Sequence, residues 1–219
     1  MNEARKLPLD PDTVKGFLDP EEGWALHDAA VAAARLGPVV EIGAYCGKSA
    51  LYLGSACKES GNTLFSIDHH CGSEENQPGW EWHDAELWDE KAGRLDTLPV
   101  FRETIRLAGL DDSVVALVGR SAQISAVWDR PCGMVFIDGG HTIEAALEDL
   151  RGWSGKVARG GTLAIHDVFP DPADGGSDRQ RRAPVSRNAS WSGLTGGGQF
   201  AWASCLGRRK VQTVPPWFR

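Results

Sequence analysis

From about residue 38 onward, short apolar runs alternate with longer amphipathic stretches. That rhythm narrows the fold of this 219-residue chain more than any other property. Strands joined by helical crossovers pair in parallel, bury both faces, and read as near-continuous apolar runs. Val39-Val40-Glu41-Ile42 is such a run, and Lys48 to Cys57 reads as its crossover helix. Thr63 to Ile67 follows as a second strand ending at Asp68, and Leu98 to Ala108 is helical, with Phe101, Ile105 and Ala108 on one face. Val114–Val118 reads as a buried strand, Cys132 to Ile137 as another and Thr162 to Ile165 as a fifth. Between the last two, Ile143 to Val157 makes an amphipathic helix closed by Gly160-Gly161. Ahead of the sheet, Glu21 to Leu36 reads as a helix ended by Gly37-Pro38 and packing over the ligand side. The expected fold is α/β, with helices on both faces of a mostly parallel sheet.

Length and composition fit one domain over 1–219, with 42% hydrophobic and 24% charged residues. Within it, 1–37 is a helical extension, 69–95 an acidic Trp-rich insert and 175–198 an irregular basic segment, after which Gln199–Leu206 and Lys210–Val214 suggest a hairpin. No apolar stretch approaches the roughly 20 residues of a membrane span, and Met1 to Asp12 is polar, so a cytoplasmic, membrane-free chain is expected. Five scattered cysteines without a CxxC pair read as free thiols. Of 23 basic and 30 acidic residues, 175–219 holds eight and one, leaving 15 against 29 in the body. Such a body repels nucleic acid, and the basic tail is expected to lie solvated against it.

Chemistry is expected where Val135-Phe136-Ile137 runs into Asp138-Gly139-Gly140-His141. Open α/β sheets place ligands at the carboxyl ends of strands. A carboxylate there can hold a cation, and an imidazole three residues on can take a proton. Glu41-Ile42-Gly43-Ala44-Tyr45-Cys46-Gly47-Lys48-Ser49 is the second such place. Its glycines let backbone approach a ligand, and the helix start offers free N–H groups to an anion. Tyr45 occupies the middle glycine of a GxGxxG turn, which disfavours a dinucleotide-linked oxidoreductase, and Gly43 and Gly47 are too close for a GxxxxGK[ST] loop. His69, His70, Cys71 and His83 are a weak metal set, because adjacent residues on extended chain point apart; one of the pair is expected at the pocket mouth. Trp80, Trp82 and Trp88 read as a wall for a ring, a lid, or packing of the insert onto the body.

The Glu41–Ser49 string resembles the first motif of class I S-adenosylmethionine-dependent methyltransferases, and among them the metal-dependent O-methyltransferases of catechol type. Asp138-Gly139-Gly140-His141 is similar to the metal-and-base motif of bacterial sugar O-methyltransferases that modify macrolides and related glycosides. The resemblance covers about 38–170. It implies a Rossmann-like, mostly parallel seven-stranded sheet, with S-adenosylmethionine and Mg²⁺ or another divalent cation as cofactors. By resemblance, Glu41, Gly43, Tyr45, Gly47, Ser49, Asp68, Ser121 and Asp138 bind the methyl donor, Asp68 taking the ribose hydroxyls and Ser121 the adenine. Asp138, Asp167 and His166 are the implied metal ligands, although His166 departs from the usual acid or amide, and His141 is the implied general base. The implied acceptor is a small molecule or oligosaccharide, at its narrowest a methylmannose polysaccharide, and a homodimer is the assembly it allows. A catechol or polyketide O-methyltransferase is the alternative within the class; a non-catalytic nucleotide-binding module is the alternative outside it.

Overall fold

A computed structural model describes residues 5–73, 76–80, 82–140, 142–166 and 199–202. Its main sheet is centred on β1 (Val39–Ile42), whose four residues are all buried. β1 pairs in parallel with β2 (Leu64–Asp68) on one side and β6 (Cys132–Ile137) on the other, with Val39 opposite Leu64 and Met134. β5 (Val114–Val118) lies outside β2; β7 (Val157–Ile165) and β8 (Gln199–Trp202) continue beyond β6, giving the order β5-β2-β1-β6-β7-β8. A two-residue ribbon in the insert, β3 (Trp88–Asp89) with β4 (Arg94–Leu95), is separate and antiparallel.

The period-two alternation of the strands sorts side chains into two cores. On one face Val39, Leu64, Met134 and Phe136 meet α1 (Pro20–Ala33), α2 (Lys48–Ser60) and α3 (Leu98–Leu107). On the other, Val40, Ile42, Val135 and Ile137 meet Leu150 and Trp153 of α5 (Ile143–Trp153), with Ile124 of α4 (Ser121–Val127) packed alongside. α1 starts where expected because Asp19 caps it, accepting from Glu21 N at 2.8 Å, with Pro20 at its first position.

Several expectations need correcting. β5 is not buried: it forms the sheet edge, where Val115 is 40% and Val118 57% exposed. Gly160-Gly161 does not close a helix. α5 ends at Trp153, a 3₁₀ turn spans Ser154–Lys156, and both glycines lie inside β7. The pairing jumps there from Cys132–Val157 to Met134–Thr162, and a side chain at 161 would stand 2.6 Å from Gly133 O. The glycines therefore serve a bulge where two backbones approach closely. Of the expected hairpin, Gln199–Trp202 is a strand parallel to β7, and the rest lies outside the described residues. The described main sheet has six strands, all parallel, in keeping with the mostly parallel sheet expected, and the segment Lys210–Val214 expected to add a further strand lies outside the described residues.

Candidate active site

The chain leaves β1 toward β2 in one direction and β6 toward β7 in the other, so the strand order switches between β1 and β6. A cleft of about 970 Å³ opens there, at the carboxyl ends of the strands, as this architecture dictates. Gly43, Tyr45, Ser49, Asp68, Ser121, Asp138 and His166 all line it. Of the other expected site residues, Glu41 and Gly47 stand behind its wall. His141 and Asp167 lie outside the described residues.

The cleft floor exists because Gly43 has no side chain. Its φ is +90°, and a Cβ would fall 2.0 Å from Asp138 O, so β1 and β6 close on each other only with glycine here. Tyr45 itself adopts φ 45°. Asp68 holds this turn: Oδ2 accepts from Ala44 N and Tyr45 N, both at 2.9 Å, while Oδ1 accepts from His70 N at 2.7 Å. A carboxylate has about four acceptor positions, so Asp68 has roughly one left for a ligand. It is a clamp for the turn first. Glu41, opposite Ser66 in register, shares the α2-facing side with Val39 and is fully buried. Its Oε2 accepts from Ser66 Oγ at 2.5 Å. Burial pushes its carboxyl up to about 7, Asp138 and Asp68 add to the rise, and the Ser49 and Ser66 hydroxyls oppose it. Gly47, at φ +94°, is the N-cap of α2 and backs onto Phe101 and Thr104.

At the ends of β6 and β7, Asp138 Oδ1 lies 3.2 Å from His166 Nδ1, and His166 Nε2 lies 3.3 Å from Glu22 Oε2 on α1. The imidazole side chain is 5% exposed and that of Glu22 12%. Sequence reading missed Glu22: only the packing of α1 against β6 and β7 brings it here, across 144 residues. The Asp138–His166 spacing is about that of neighbouring ligands on an octahedral ion with ~2.1 Å bonds. These two donors fit part of a divalent-ion shell. Glu22 meets the opposite ring nitrogen, and among the described residues no group of three His, Cys, Asp or Glu side chains is placed to hold a metal ion.

The mouth is aromatic. Phe17 packs edge-on to Trp82 at 4.9 Å and lies 6.1 Å from Tyr45, while Trp80 is 45% exposed on the cleft wall. Lys15 Nζ reaches Asp84 at 2.5 Å and Glu86 at 2.6 Å, tying the segment before α1 to the insert. Trp88 packs on His83 within the insert. His69 lines the cleft, whereas His70 is buried with Nδ1 2.7 Å from Thr97 Oγ1, so the pair does point apart. The four described cysteines are free thiols. Among the described residues no helix is long and apolar enough to cross a membrane.

Residues 40–168, more than half of the chain, match the family described as a methyltransferase domain, and the chain belongs to that family. Its fold is the class I methyltransferase fold, α/β and Rossmann-like. Solved structures with this architecture include cofactor-bound Rv0187 from MTB, with a TM-score of 0.51 and 19% identity over 71% of this chain and 60% of that one. Another is the O-methyltransferase NovP, with a TM-score of 0.53 and 16% identity over 68% of this chain and 65% of that one. The chain spans less than two thirds of either structure.

Proposed function

We propose that this methyltransferase moves the methyl group of S-adenosylmethionine onto a hydroxyl oxygen of a sugar or glycoside. The observation that carries the reading is the single cleft in which the Gly43 turn, Asp68 and the Asp138–His166 pair share a floor beneath an aromatic mouth. Ser49 and the amides opening α2, which has no side-chain cap, suit the methionine carboxylate; the acceptor position left on Asp68 suits a ribose hydroxyl. The donor supplies its methyl on a sulfonium. The acceptor oxygen–carbon bond forms as the carbon–sulfur bond breaks, and the hydroxyl proton needs a base. His141 is the proposed base, since an imidazole titrates near neutral pH. Asp138, His166 and Asp167 would hold Mg²⁺, and a bound divalent ion lowers the pKa of an oxygen it touches. Phe17, Trp80 and Trp82 offer faces for the apolar side of a ring, and the resemblance of Asp138-Gly139-Gly140-His141 to the motif of sugar O-methyltransferases favours a saccharide acceptor.

The test is transfer of a radiolabelled methyl to panels of mono- and oligosaccharides and of catechols, with Mg²⁺ or with EDTA. Labelled saccharide only with the divalent ion is expected, and His141→Ala should lose about 100-fold or more in rate while still binding the donor. Labelled catechol alone overturns the acceptor. Full activity in EDTA removes the ion, and an unchanged rate in His141→Ala removes the base.

A further inference from the structure

We propose that Asp149 reads the 6-amino edge of the donor's adenine, and that Gly139 lacks a side chain so that this carboxyl stays open to the cleft. The inference rests on the donor reading above. β1, β2 and β5 are adjacent, with Asp68 opposite Val118, so a nucleoside laid from the β1 turn across Asp68 brings its base to the end of β5. α4 begins there with Ser121, which packs against α5. Ser121 is already engaged: Trp153 Nε1 donates to its Oγ at 2.7 Å, and its hydroxyl faces the Asp149 carboxyl. A hydroxyl has one proton to give, so the ladder Trp153–Ser121–Asp149 ends on a group that still accepts. Asp149 is 8% exposed, yet it lines the cleft and has no part in the chemistry above.

Gly139 supplies the second observation. Its φ is outside the left-handed region, so the backbone does not require glycine there. A Cβ would stand 2.9 Å from Asp149 Oδ2 and cover it. Space over a buried carboxyl is what the glycine provides. Adenine presents an amine to such an acceptor; hypoxanthine presents a carbonyl oxygen, which a carboxylate repels. Burial raises the Asp149 carboxyl above its ordinary range, with the Ser121 hydroxyl opposing.

The experiment is calorimetric binding of S-adenosylhomocysteine and of its inosine analogue to the full chain. Wild type should prefer the adenosyl compound by about tenfold or more. Asp149→Asn presents both a donor and an acceptor and should bring the preference within about threefold, while Arg151→Gln, exposed on the same helix and away from the cleft lining, should keep it. Gly139→Ala should weaken the adenosyl compound without Asp149 being altered. Equal binding of both compounds to wild type, an intact preference in Asp149→Asn, or its loss in Arg151→Gln overturns the assignment. If wild type binds no S-adenosylhomocysteine, the donor reading fails and this inference with it.

Discussion

A carboxyl group buried beneath a ligand turn makes its own stability signature, and Glu41 is that group. Its usual value is 4.5, and burial pushes it up to about 7 in the folded chain. Below 4.5 the folded and unfolded chains both hold the proton. Between the two values the unfolded chain has lost it while the folded chain keeps it, so rising pH favours unfolding; above about 7 the effect is constant. The full swing is about 3 kcal/mol at ~1.4 kcal/mol per unit. Glu41→Gln keeps an acceptor for Ser66 and has nothing to titrate. In urea unfolding it should gain on wild type steadily from pH 4.5 to about 7 and then hold its lead. Parallel stability curves would mean that Glu41 is ionised in the fold. The residue was legible as part of a ligand motif, but its direction was not. Alternation along β1 places it with Val39 on the α2 side, and only the register with Ser66 shows that it supports the turn from behind.

At the scale of elements, the strands and helices of the sheet were readable because apolar runs and amphipathic periods are local signals. β6 falls on Cys132–Ile137 as expected, and α3 starts at Leu98. What failed depended on neighbours in space. The exposure of β5 follows from its outermost position, and the glycines at 160 and 161 answer to Gly133 across the sheet. The roof of the cleft was equally hidden, since Lys15 and its partners Asp84 and Glu86 look like ordinary surface charges. Asp84 and Glu86 hold the Lys15 ammonium above the usual lysine range, but the side chain is 36% exposed, so the cluster contributes less than about 1 kcal/mol to folding. Its effect belongs to geometry. Lys15→Met should leave the unfolding midpoint nearly unchanged and donor affinity intact, yet raise the acceptor KM several-fold and speed proteolytic cleavage between 76 and 95. Unaltered KM and cleavage together would show that the insert is held by its buried Leu87 and Leu95 alone.

The whole molecule decides where chemistry can occur, because the cleft sits at the one place where β1 and β6 send the chain apart. Expected residues from β1, β2, α4, β6 and β7 meet there, so most of the candidate site could be read once the strand ends were known. Glu22 could not be read, since nothing local marks an acid in the first turn of α1 as anything but a favourable helix start. Its meaning comes from α1 crossing the sheet to place Oε2 at 3.3 Å from His166 Nε2, while Oε1 is buried with no hydrogen-bond partner among the described residues. A carboxylate behind an imidazole fixes which ring nitrogen carries the proton and how the ring is turned. Here that orients Nδ1 toward Asp138, so α1 contributes to the candidate site although it precedes the residues that match the methyltransferase family. Glu22→Ala should therefore lower kcat for methyl transfer by about 10- to 100-fold with little change in donor affinity, and Glu22→Gln, which can still accept from Nε2, should recover part of the loss. Steady-state kinetics at saturating donor, run beside thermal unfolding of both variants, separates this from a folding defect: equal kcat in all three proteins would leave α1 a packing helix and nothing more.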